Sequence, residues 1–352
     1  MSDKTRRLAS RPVFFERNRV YRVYQGGALF HRLFGDPAKD GHYPEEWIAS
    51  SVKALNKVPA GDREGISRIR GTGLYLDDLL RDEPERMLGG RRDLGVLVKA
   101  LDSAVALPVQ AHPTRERAMR LFQSPYGKTE SWLVLDARPG ASIAYGFKRP
   151  VTGEEFRAAV LAGGEAVSAL LNIVPVKPGD VYLIPGGMVH AIGAGCLMLE
   201  VQEPTDYTIQ PEEWLGDYHL SEYERFLGLP EEDAFTCFDY TWYGEKALAR
   251  GRMTPRLLYR DGTRTSEELI GYTDTPCFAV KRHTLRDTEN GGYALPAGPA
   301  VFLVGEGSGR LTGDGFRQEL TKGDYFLLPH AAAGKYTVKG GMTLLECLPP
   351  QE

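Results

Sequence analysis

The fold turns on one stretch, Lys177-Pro-Gly-Asp-Val-Tyr-Leu-Ile-Pro185-Gly-Gly-Met-Val-His190. It places a Gly-Asp turn before four apolar residues and closes them with a proline, which cannot continue a sheet ladder. The same unit recurs as Thr321-Lys-Gly-Asp-Tyr-Phe-Leu-Leu-Pro329. Two copies of one β-unit predict two barrels of common design.

The rest of the chain agrees with that reading. Its 40 Gly and 23 Pro punctuate short runs of Val, Leu, Ile, Tyr and Phe. Strands are expected at 96–101, 107–111, 131–136, 143–145, 180–184 and 197–201, then at 278–283, 300–305, 325–328, 336–338 and 342–345. Short helices are expected at 75–80, 83–88 and 165–171. Thr152 with Glu155, and Ser221 with Glu224, form capping boxes that start two more. The expected division is an N-terminal unit over 1–225, a linking segment over 226–272 and a C-terminal barrel over 273–352. Gly305-x-Gly307-x-Gly309 reads as a hairpin turn.

Composition narrows the function. The net charge of −4 is small and mixed, with no basic stripe of the kind nucleic acid demands. No apolar run approaches the ~20 residues of a membrane span, and no apolar segment follows the charged start Met1-Ser-Asp-Lys-Thr-Arg-Arg7. Cys196, Cys237, Cys277 and Cys347 are scattered, with no C-x-x-C pair, as expected of buried thiols in a cytoplasmic protein. The expected partner is therefore a small molecule, met by a monomer or homodimer.

Four residues offer N and O donors of the kind a catalytic divalent metal takes. Gln110 and His112, in Gln110-Ala-His-Pro113, are two apart, so a strand turns both to one face. Glu130 opens a strand in Gly127-Lys-Thr-Glu130, and His190 follows the Pro-Gly-Gly turn. Lys128 shares the face of Glu130. Glu200 closes the apolar run Cys196-Leu-Met-Leu-Glu200, where a carboxylate is costly to bury unless it is paired or functional. Gly127-Lys128-Thr129 is no phosphate-binding P-loop, because Phe122 stands where its leading glycine is needed and a strand follows.

Gly179 to Pro185-x-Gly187-x-x-His190 resembles a defining motif of the cupins. The set Gln-x-His-Pro, Gly-Lys-Thr-Glu and Pro-x-Gly-x-x-His-Ala-Ile-Gly, with Gly26-Gly-Ala-Leu29 and Glu46-Trp-Ile-Ala-Ser50 upstream, resembles the type I mannose-6-phosphate isomerase family over nearly the whole chain. The resemblance implies a mainly β fold of two cupin (jelly-roll) barrels with short helical insertions. It implies Zn2+, or another divalent metal, on Gln110, His112, Glu130 and His190, with Gln110 either a ligand or an orienting group. It further implies a sugar-phosphate substrate met by Lys128, a catalytic carboxylate at Glu200, and interconversion of mannose 6-phosphate and fructose 6-phosphate.

The chain departs from its family twice. Gln210 stands where family members carry a catalytic arginine, losing the fixed charge and forked geometry. Pro108 stands where a serine often helps to hold phosphate. Lys148, Arg149 and Arg225 are candidate substitutes. These departures leave a sugar-binding cupin without turnover as the alternative. A cupin oxygenase suits the residues less well, although one fold hosts many chemistries. In the C-terminal repeat, Ala331 falls opposite Gly187 and Gly334 opposite His190, so that barrel is expected to carry no metal, and His330 no role.

Overall fold

The computed structural model describes residues 3–288 and 291–351. Two antiparallel sheets dominate it. The first runs in the order Arg252–Met253, Val181–Ile184, Glu130–Ala137, Cys196–Gln202, Leu97–Ser103, Glu45–Ile48 and Arg19–Val20. The second runs Val13–Phe14, Tyr325–Leu328, Ala300–Gly313, Thr337–Leu348, Ala279–Leu285, Arg264–Ile270 and Arg256–Arg260. Strand for strand the two orders match, and the repeated motif occupies the same place in both. A three-stranded sheet of Leu171–Pro175, Ser142–Phe147 and His190–Ile192 closes the first barrel.

Alternation along the strands assigns the faces. Leu133, Leu197, Leu199 and Val201 point outward and pack with Val280, Val301, Leu303, Leu345 and Cys347 in one core between the barrels. Their alternates, including Trp132, Tyr182 and Met198, fill the first barrel. Phe302, Val304, Phe326 and Leu344 fill the second.

Most expected elements form, including the helix Gly153–Ala162 capped by Thr152 and the capping box of Ser221 with Glu224. Three details differ. Residues 107–111 make only isolated bridges, Gln110 with His190 and Ala111 with Ile209, because Pro108 and Pro113 deny the segment continuous donors. The helix Arg115–Phe122, capped by Thr114, was not foreseen. Gly305, Gly307 and Gly309 lie inside the long strand Ala300–Gly313, and the hairpin turns instead at Asp314-Gly315, both at positive φ. Gly307 and Gly309 are needed there because the neighbouring strand passes close by. A Cβ on Gly309 would stand 2.1 Å from the carbonyl oxygen of Lys339.

The expected linking segment is shared out between the two units. Phe226, Ala234, Phe235, Cys237 and Phe238 pack against the first barrel, whereas Arg256–Arg260 and Arg264–Ile270 are strands of the second sheet. The second sheet also takes Val13–Phe14 as an edge strand. Nearby, the buried Glu46 carboxylate accepts hydrogen bonds from Arg19 and from the Tyr325 hydroxyl across the barrel interface.

The ladders line up residue by residue. In the first barrel Glu200 lies opposite Lys99 on one side and Trp132 on the other, and Glu130 lies opposite Ile184. In the second, Glu346 lies opposite Lys281 and Phe302, and Ala300 lies opposite Leu328. Glu346 thus holds the position of Glu200, while Ala300 replaces Glu130. Glu346 Oε2 lies 2.9 Å from His283 Nε2 and accepts the Tyr293 hydroxyl at 3.1 Å.

Gly309→Ala is expected to lower unfolding stability by about 1–3 kcal/mol, since backbone atoms must move. Gly41→Ala, with no atom within 4 Å of the new Cβ, is expected to stay within about 0.5 kcal/mol. Denaturant titration of the two variants checks the pair.

Candidate active site

His112, Glu130 and His190 converge, with one ligand atom from each lying within 4.8 Å of the others. All three are buried, at 1%, 1% and 0% exposure. Backbone carbonyls orient the rings: His112 Nδ1 lies 2.9 Å from the Tyr207 oxygen and His190 Nδ1 2.8 Å from that of Met188. A proton on each Nδ1 leaves the Nε2 lone pairs, 3.1 Å apart, facing Glu130. Glu130 Oε2 is 3.2 Å from His112 Nε2, and Glu130 Oε1 is 3.5 Å from His190 Nε2.

Electrostatics favour an ion at this point. Burial lowers the pKa of both imidazoles, that of His190 to about 3, so both are neutral near pH 7. Burial raises the Glu130 carboxyl, but Lys128 and the two imidazoles outweigh it and hold the group well below its usual range. Glu130 Oε2 accepts no well-directed hydrogen bond. Two neutral imidazole lone pairs and a carboxylate aimed at one point are a donor set that fits a divalent cation.

The other expected residues take the following places. Lys128 reaches the cluster, its Nζ 2.9 Å from His112 Nε2 and 3.0 Å from Glu130 Oε2. Gln110 lines the adjoining cavity, and its backbone exchanges two hydrogen bonds with His190. Glu200 shares the cavity-facing side of the sheet with Glu130 and accepts the Trp132 indole N–H at 3.2 Å. Burial, then the charge of Glu130, raises the pKa of Glu200. Gln210 also lines the cavity, but its amide donates to the Glu224 carbonyl at 2.8 Å. Lys148, Arg149 and Arg225 do not line it: they donate to the backbone oxygens of Ala169, Pro150 and Pro211 respectively.

A charge network beneath Glu200 escaped the sequence reading. Lys99, 2% exposed, lies 3.4 Å from Glu200, 3.5 Å from Glu45 and 3.8 Å from Asp206. Burial lowers the pKa of Lys99, but the three carboxylates outweigh it and raise it. Arg22 Nε contacts Glu45 at 2.7 Å, and its Nη2 contacts Asp206 at 3.0 Å. Tyr24 and Trp47 each donate to Glu45 at 2.6 Å. The one local signal is Lys99 itself, a charge amid the apolar run Val96-Leu-Val-Lys99-Ala-Leu101.

The fold is that of a two-barrel cupin, with one candidate metal site among the described residues. No protein-family model matches the chain. It is 28% identical to mannose-6-phosphate isomerase of Streptococcus mutans, over 91% of this chain and 92% of that one. It is likewise 28% identical to mannose-6-phosphate isomerase ManA of Bacillus subtilis, over 95% and 97%. The solved mannose 6-phosphate isomerase from Bacillus subtilis superposes with a TM-score of 0.77 at 24% identity, covering 96% of this chain and 99% of that one. A phosphomannose isomerase variant from Salmonella typhimurium gives 0.71 at 16%, over 97% and 100%, a likeness of fold. The chain thus resembles mannose-6-phosphate isomerases along nearly its whole length.

His112→Ala and His190→Ala are each expected to abolish retention of a divalent metal after dialysis, with His330→Ala retaining it; elemental analysis reads the outcome. Lys99→Met strands buried carboxylates and should cost about 3–5 kcal/mol of stability by denaturant titration.

Proposed function

We propose that this protein is a metal-dependent aldose–ketose isomerase that interconverts mannose 6-phosphate and fructose 6-phosphate. The observation that carries the reading is the buried His112–Glu130–His190 centre, which Lys128 joins to a neighbouring cavity lined by a second buried carboxylate, Glu200. The likeness to curated mannose-6-phosphate isomerases along nearly the full chain supports the substrate pair.

His112, Glu130 and His190 would hold the ion, zinc in this proposal, with Gln110 as a further ligand or as an orienting group. A divalent cation bound there supplies the positive charge that polarises and orients the sugar's carbonyl and hydroxyl oxygens. The remaining work falls to the chain. A proton must leave the carbon next to the carbonyl and return to its neighbour through an enediol. Glu200 is the proposed proton carrier, because burial beside Glu130 raises its pKa toward the range in which it can both take and give a proton. Lys99 keeps Glu200 in place. Lys128 is proposed to neutralise charge developing on a substrate oxygen. Trp132 and Tyr182, both fully buried, wall the site against water. The four free, buried cysteines suit the proposed cytoplasmic setting.

A sugar-binding cupin without turnover is the second reading. It is favoured by Gln210, whose amide is engaged by a backbone carbonyl where the family carries arginine.

A coupled assay on metal-replete protein separates the two. Turnover of mannose 6-phosphate is expected, and its absence alongside metal-dependent sugar binding would establish the second reading. Glu200→Gln should lower kcat by about 10²–10⁴ with little change in KM.

A further inference from the structure

We propose that Lys57, with the hydroxyls of Tyr21 and Thr208, anchors the phosphate of the substrate, an inference that rests on the sugar-phosphate reading above. The cavity beside the metal centre, about 220 Å³, is lined by four cations: Arg22, Lys57, Lys99 and Lys128. Three are already committed. Arg22 is paired with Glu45 and Asp206, Lys99 lies among Glu45, Glu200 and Asp206, and Lys128 lies against Glu130. A phosphate dianion competing for any of these would leave buried carboxylates uncompensated. Among the described residues, Lys57 is the cavity-lining cation with no carboxylate within ion-pair distance. The nearby Glu224 feels the charge of Lys57 but makes no ion pair with it, accepting instead from Ser221 N and the Tyr218 hydroxyl, each at 2.8 Å.

Position agrees with charge. The candidate metal ligands are buried behind the cavity-lining Lys128, whereas Lys57 is exposed to solvent. In a hexose 6-phosphate the reacting carbons and the phosphate sit at opposite ends of the carbon chain, so a reacting end at the metal sends the phosphate outward. The backbone before Lys57 is pinned to the catalytic network. Leu55 N donates to Asp206 Oδ2 at 2.8 Å, and Asn56 bonds the Tyr21 carbonyl at 3.0 Å and the Arg22 guanidinium at 2.9 Å. The loop thus fixes the base of Lys57 while its ammonium stays free, as a point charge suited to a hydrated dianion. The Tyr21 and Thr208 hydroxyls also line the cavity and make no hydrogen bond among the described residues. They supply donors where Pro108 offers none.

Calorimetric titration with mannose 6-phosphate and with mannose tests the assignment on wild-type, Lys57→Ala and Lys57→Arg proteins. The wild type is expected to prefer the phosphate ester. Lys57→Ala should lose about ten-fold or more of that preference, with mannose affinity unchanged, and Lys57→Arg should keep most of it. In turnover the loss appears in KM and leaves kcat in place. A preference unchanged within about two-fold in Lys57→Ala overturns the anchor, as does a wild type that prefers mannose. Absent turnover with a Lys57-dependent preference would instead overturn the isomerase reading and leave the anchor standing.

Discussion

A carboxylate removed from water must meet a positive charge or a set of donors, and the first barrel buries several on one face of one sheet. Tyr182, Trp132, Glu200, Lys99 and Trp47 follow one another across the ladder. The side chains that alternate with this row face the second barrel and are mostly apolar, Glu46 being held there by Arg19 and the Tyr325 hydroxyl. The sheet therefore has an ionic side and an oily side, and the period of two that separates them serves stability and chemistry together. A register slip by one residue would bury charge against the second barrel and turn leucines toward the substrate cavity.

The same matching of charges decides what each group is free to do. Glu45 receives two cations and two neutral donors and stays ionised, so it acts as a fixed counter-charge. Glu200 receives one cation and one indole N–H, lies near the charge of Glu130, and is drawn toward the protonated form. Burial alone does not distinguish these two carboxylates; their partners do.

The His112–Glu130–His190 cluster is legible in the sequence because its members sit in short, rigid signals: a Gln-x-His pair, a Gly-Lys-Thr-Glu entry and a Pro-Gly-Gly turn. His112 joins the cluster and Gln110 lines the adjoining cavity, even though 107–111 forms only bridges. The supporting network is not legible, since Arg22 meets Asp206 across 184 residues and no local pattern announces such a partner. Lys57 is equally silent, an unremarkable loop lysine until the pairing of every other cation in the cavity is known. The second barrel was read as lacking the metal ligands, and Ala300 in the place of Glu130 agrees with that. Less visible was that Glu346 keeps the position of Glu200 and is held through Oε2 by His283 and Tyr293.

Val13–Phe14 belongs to the sheet of the second barrel, while Arg19–Val20, a few residues on, belongs to that of the first. Val13–Phe14 thus waits for Tyr325–Leu328, a partner far along the chain. Closing so long a loop comes late in folding, and until then an edge of the second sheet stays bare and open to wrong partners. Once seated, that strand ties the two sheets into a single cooperative body, so heat or denaturant should melt both barrels together.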